Sequence, residues 1–106
     1  MENLNKFCGT ENYYKHFTGG FYTDGVKYVA ETAGAYWLLD AIFSYARREP
    51  FQIWTLKLVG KEGALLTMIE DAGMPEKVRQ DIPYTDFPEN IGFYLVDNVL
   101  MLKSEY

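Results

Sequence analysis

The chain has 106 residues, 48% of them hydrophobic and 17% aromatic, which fits one domain with a sizeable core and leaves little room for disorder. Its net charge of −5 argues against a general nucleic-acid binder, which needs a basic footprint to displace counterions from phosphate. Cys8 is the single cysteine, so an internal disulfide and a cysteine-based zinc site are excluded too.

The charge is unevenly placed. Residues 1–50 carry five Lys/Arg and six Asp/Glu, and residues 51–106 carry five and nine. The acidity of the second half reads first as a solvated surface, and second as a face for a basic partner or a mimic of nucleic acid. Nine Tyr, seven Phe and two Trp exceed what a small core requires, so some rings are expected at the surface, where tyrosine packs its ring and keeps its hydroxyl wet. The opening Met1-Glu2-Asn3-Leu4-Asn5-Lys6 has no signal-peptide core, and Asp40 interrupts the longest apolar stretch. The expectation is a cytoplasmic location, with no membrane association.

In chain order, residues 1–9 read as a lead-in. Thr10 is placed to N-cap a short helix over residues 11–17, with Tyr13, Tyr14 and Phe17 on one side. Gly19-Gly20 end it. Residues 22–48 form the long segment with helical periodicity, with Thr23 or Asp24 as N-cap. Val26, Val29, Ala30, Ala33, Trp37, Ala41, Ser44 and Tyr45 make an apolar stripe that Leu38 and Ile42 widen. Arg47 and Arg48 suit the negative end of the helix, and Pro50 stops it. Gly34 is the open question, because a helix-interior glycine costs about 1 kcal/mol relative to alanine. It either divides the helix or admits a close neighbour.

After Pro50 the period becomes two. Residues 51–59 place Trp54, Leu56 and Leu58 on one face and Thr55 and Lys57 on the other. Gly60-Lys61-Glu62-Gly63 is a turn, and residues 64–69 return. A short strand follows over residues 77–82, ended by Pro83. Taking Asp97-Asn98 as a two-residue hairpin loop puts Val96 opposite Val99, Leu95 opposite Leu100, Tyr94 opposite Met101 and Phe93 opposite Leu102. Phe93, Leu95, Leu100 and Leu102 are the expected core face. The other face is also apolar, so it is either covered by the chain or open to a partner, and homodimer formation is expected as readily as not. The expected architecture is a single α+β domain over residues 1–106, with N-terminal helices packed on one face of a four- to five-stranded antiparallel meander sheet.

Residues with chemical potential are few. His16 is the single histidine and is expected at a helix end, favoured by the dipole. Pairing it with Cys8 as nucleophile and base has no recognised spacing behind it. Asp24, Glu31 and Asp40 are expected as cap, solvated face and satisfied acid. Asp40, set among Trp37, Leu38, Leu39, Ala41 and Ile42, needs either a partner such as Lys or Tyr, or a raised pKa. The tripeptide Tyr-Thr-Asp occurs twice, as Tyr22-Thr23-Asp24 and Tyr84-Thr85-Asp86. Both copies serve as caps or turns, or else they flank one aromatic pocket. The candidate binding residues are therefore Tyr22, Asp24, Asp40, Tyr84 and Asp86, with no catalytic residue, metal or cofactor expected.

The strings Gly9-Thr10-Glu11, Tyr13-Tyr14-Lys15-His16, residues 22–42 with Ala33-Gly34-Ala35-Tyr36-Trp37-Leu38-Leu39-Asp40, Ile82-Pro83-Tyr84-Thr85-Asp86-Phe87-Pro88, Tyr94-Leu95-Val96-Asp97 and Ser104-Glu105-Tyr106 resemble a family of small bacterial and phage-encoded proteins of unknown function. That resemblance spans nearly the whole chain and implies a bacterial or mobile-element context, without an activity or site residues. Three functions are compatible with these readings. The first is a non-enzymatic intracellular binding protein for a small ligand or a host protein. The second is a small metal-independent enzyme using carboxylate and tyrosine groups as acid and base. The third is an acidic inhibitor of a nucleic-acid enzyme.

Overall fold

The computed structural model describes residues 12–45, 51–71 and 73–106. The expectations for Cys8, Thr10, Glu11, Arg47, Arg48 and Pro50 lie outside these residues. Strands β1 (Tyr13–Lys15) and β2 (Phe21–Thr23) precede helices α1 (Asp24–Thr32) and α2 (Tyr36–Ser44). Strands β3 (Phe51–Val59), β4 (Gly63–Ile69), β5 (Val78–Ile82), β6 (Ile91–Val96) and β7 (Val99–Leu102) follow, and a 3₁₀ turn, Lys103–Glu105, comes last. The α+β class holds, but the helices are not N-terminal, and the sheet has seven strands in the order β1-β2-β7-β6-β3-β4-β5.

The helix expected over residues 11–17 is corrected to a strand and a turn. Tyr13, Tyr14 and Lys15 pair antiparallel with Thr23, Tyr22 and Phe21, so a backbone partner outweighs a three-residue helical spacing. β2 in turn lies parallel to β7, which makes the sheet mixed. The meander is corrected as well, because β6 pairs with β3 rather than β5. The loop between β5 and β6 carries the chain past the ends of β4 and β3. It is held there by buried Phe87, by the Thr85 N–H donating to Glu62 O (2.6 Å) and by the Leu58 N–H donating to Asn90 Oδ1 (2.7 Å).

Gly34 divides the helical segment. Its φ is +59°, in the left-handed region, and open space surrounds the position of a Cβ, so it serves as a break and not a close approach. The break resets the phase of the apolar stripe. α1 buries Val26, Val29 and Ala30 as expected. α2 buries Leu38, Leu39, Ile42 and Phe43, while Trp37 and Ala41 are half-buried and Ser44 is exposed.

The strands β4, β6 and β7, and β3 as far as Leu56, alternate between buried and half-buried residues, while Leu58 is half-buried and Lys57 and Val59 are exposed. Trp54, Leu56, Leu66, Met68, Phe93, Leu95, Leu100 and Leu102 form one core with the helices. Within it Gln52 is fully buried and accepts a hydrogen bond from Trp54 Nε1 (2.9 Å). The β6–β7 register is the expected one in all four pairs. Asp97 (φ 49°) and Asn98 (φ 68°) both take positive φ, the backbone a tight two-residue hairpin demands. On the opposite face Tyr106 packs against Phe51 and Tyr94, so its ring covers part of the second apolar face.

Candidate functional site

Thr23 caps α1, its Oγ1 accepting from the Val26 N–H (3.4 Å). The helix start is closed by a residue far along the chain. Glu105 Oε1 accepts from Thr23 Oγ1 (2.6 Å) and from the Leu102 N–H (2.9 Å), and its Oε2 accepts from the Gly25 N–H (3.1 Å). A carboxylate suits this position because the first turn has unpaired N–H groups and a positive dipole end. Gly25 leaves the room for it: a Cβ there would stand 2.6 Å from Glu105 Oε1 and 2.7 Å from Leu102 Cδ1.

Asp24, freed from capping, turns to β1. Its Oδ1 accepts from the Tyr14 hydroxyl (2.9 Å) and its Oδ2 from the Asn12 N–H (3.3 Å). The phenol's bond to this carboxylate raises the Tyr14 pKa, and desolvation and the nearby charges add to it. Tyr22 stacks on Tyr14 at 5.6 Å, and Lys27 Nζ stands 4.3 Å from the Tyr14 ring centroid. Tyr22 and Asp24 thus belong to a cluster that docks the β1–β2 hairpin on α1.

Asp40 has a partner, and it is neither Lys nor Tyr. His16 Nε2 lies 2.8 Å from Asp40 Oδ1, with His16 6% exposed and the Asp40 side chain 56% exposed. Asp40 is therefore a surface acid and not one enclosed by its apolar neighbours in sequence. His16 follows β1 in a turn, which corrects its expected place at a helix end. Its ring packs between Phe17 and Phe43, each at 4.5 Å. The Thr18 N–H donates to Nδ1 (3.3 Å), while Nε2 faces Asp40. Thr18 Oγ1 also lies 2.7 Å from Nδ1. Thr18, His16 and Asp40 are in line, as a nucleophile, base and acid would be. The same turn, however, uses the His16 N–H on Gly20 O and the Gly19 N–H on His16 O, so neither is left to stabilise an oxyanion. The line of bonds is the lock of the hairpin turn onto α2.

Tyr84 and Asp86 lie elsewhere. With Gly34, Trp37, Ile82 and Thr85 they line a cleft of about 460 Å³. Tyr84 is 71% exposed, Trp37 is half-buried, and Asp86 is exposed. The Gly34 break sets Trp37 in the first turn of α2, and Pro83 turns the chain out of β5 so that residues 84–86 form the opposite wall. Neither Tyr22 nor Asp24 lines this cleft, so of the two Tyr-Thr-Asp copies it is the second that borders it. Sequence reading missed Trp37 as a wall residue because its spacing fits the core stripe of an unbroken helix. Gly34 was the signal for it.

Among the described residues no group of three or more His, Cys, Asp and Glu is placed to hold a metal ion, and no helix is long and apolar enough to cross a membrane. The acids of the second half are divided. Glu70 pairs with Lys77 and Glu76 with Arg79, and Glu105 holds α1. Glu62 and Asp97 sit in the β3–β4 and β6–β7 turns, which the antiparallel β3–β6 pairing puts at opposite ends of the sheet.

No curated protein and no solved structure matches the chain. All of it, residues 1–106, matches a family described as "Family of unknown function (DUF6876)", and to that family the chain belongs.

Proposed function

We propose that this is a non-enzymatic binding protein whose cleft, between the start of α2 and the β5–β6 loop, takes a small planar ligand bearing a cation or a strong hydrogen-bond donor. The lining carries the reading: Trp37 and Tyr84 offer aromatic faces, and Asp86 offers an exposed carboxylate beside them. A volume of about 460 Å³ lies in the range of small-molecule sites, roughly 300–1,000 Å³. Aromatic walls attract a flat cation through their π faces, and the carboxylate orients its donors. Tyr22, Asp24 and Asp40 act in this reading as supports of the fold. A bacterial or phage-encoded protein working inside the cell is the context that the family resemblance implies, and a homodimer is proposed independently of the cleft.

Benzamidine is a suitable planar cation, with benzoate as its anionic counterpart. An NMR titration is expected to move the Trp37 indole N–H signal with benzamidine and leave it still with benzoate. The Asp86→Asn variant should weaken benzamidine binding by about tenfold, the equivalent of about 1.4 kcal/mol. Equal binding of the two probes, or shifts confined to residues outside the cleft, would sink the reading.

A further inference from the structure

Among the described residues β5 is the last strand of the sheet, so one side of its backbone has no ladder partner there and offers N–H and C=O groups to an incoming strand. Its sequence, Val78-Arg79-Gln80-Asp81-Ile82, has the same character read in either direction. The ends are apolar, the centre is an amide, and between them stand one cation and one anion. Antiparallel pairing of two such strands about a two-fold axis at Gln80 sets Val78 opposite the partner's Ile82 and Arg79 opposite the partner's Asp81. The symmetry makes both contacts twice. Directly opposite residues of an antiparallel pair have Cβ atoms roughly 4.5–5.5 Å apart, within reach of an ion pair.

We infer that β5 is a homodimer interface, in which two copies of the chain pair antiparallel about Gln80 and join their sheets into one. Arg79 and Asp81 are both exposed on the face away from the helices. Arg79 already holds Glu76 (2.9 Å) and keeps further guanidinium donors for a second carboxylate. The Asp81 side chain makes no hydrogen bond or ion pair among the described residues. The other edge offers no such match. Pairing β1 with its own copy about Tyr14 would set Lys15 against the partner's Tyr13, with no opposite charge. Pairing β1 with β5 of another copy would be heterologous, giving a ring where the rotation closes and an open filament where it does not. β5 on β5 closes after two copies and leaves no further reactive edge of its own kind.

The inference stands apart from the ligand reading, since the cleft can be empty in a dimer and occupied in a monomer. Sedimentation equilibrium over protein concentrations from about 1 μM to about 1 mM tests it. The unaltered chain should dimerise within that range. Arg79→Asp and Asp81→Arg place like charges opposite each other, and each alone should weaken the dimer at least tenfold. The two variants mixed in equal amounts present an all-acidic strand to an all-basic one, so they should form a heterodimer as tight as the original or tighter. The double variant R79D/D81R should restore the homodimer to within about threefold. Recovery on mixing also proves that both single variants are folded. A chain monomeric throughout overturns the inference, and so does a dimer indifferent to these charges or one that neither the mixture nor the double reversal restores.

Discussion

The bond from the Tyr14 hydroxyl to Asp24 ties a strand to the first turn of a helix, and its pH dependence follows from the direction of one shift. Hydrogen bonding to Asp24 raises the Tyr14 pKa above 10.0, so the folded state holds this proton more firmly than the unfolded chain. The stability it contributes is fully present below pH 10.0, the unfolded value, and is lost as pH rises through the folded pKa. Asp24→Asn removes the charge and the acceptor preference for the protonated phenol. The Tyr14 ring signals, followed by NMR against pH, should then titrate closer to 10.0. An unchanged or higher midpoint in that variant contradicts the assignment. Of the candidate residues, Tyr84 and Asp86 could be placed on a polar loop from the flanking Pro83 and Pro88. The partner of Asp40 could not be foreseen. His16 is 24 positions earlier, and contacts at that separation depend on how the hairpin docks, which local periodicity does not encode.

At the scale of elements, Gly34 offers a test with opposite signs. In a continuous helix Gly34→Ala would stabilise by about 1 kcal/mol. At φ +59° an alanine instead meets its own carbonyl, and the substitution should destabilise by about 1 kcal/mol. Urea denaturation separates the two. The break also shows what a sequence can convey about elements. The period-two alternation of β3, β4, β6 and β7 was legible, and so was the Asp97-Asn98 hairpin with its register. Each of these depends on neighbours within a few residues, or on side chains forced to share a face. Three features were not legible: β1 in place of a helix, β2 beside β7, and β6 beside β3. All three are pairings whose partners lie far along the chain or whose strands are short. Three residues such as Tyr13-Tyr14-Lys15 carry too little pattern to separate helix from strand until a partner supplies the ladder. The phase of α2 was misread for a related reason: a stripe extended through Gly34 assumes a constant turn angle that the glycine abolishes.

At the scale of the whole molecule, the early and late parts of the chain meet at one carboxylate. β2 lies on β7, α1 leaves directly from β2, and Glu105 joins the cap residue Thr23 and the Gly25 N–H to the end of β7. Without that carboxylate, the Gly25 and Leu102 N–H groups would lose their acceptor, and Thr23 would lose the bond that orients its capping oxygen. Burying such donors unpaired costs more than a surface contact is worth. Glu105→Ala is therefore expected to lower the unfolding free energy by about 2 kcal/mol, and Glu105→Gln, which keeps one acceptor oxygen, by about half of that. Gly25→Ala should reproduce much of the loss with the carboxylate still present, because the added Cβ occupies its place. The slope of the urea transition distinguishes two consequences. The helices and the central strands share one core, so the loss should move the midpoint of a single transition and leave its slope unchanged. A shallower or two-step transition in the Glu105 variants would mean that α1 and the β1–β2 hairpin detach on their own. The connection at Glu105 would then be a latch on a separable unit and not a tie within one cooperative fold.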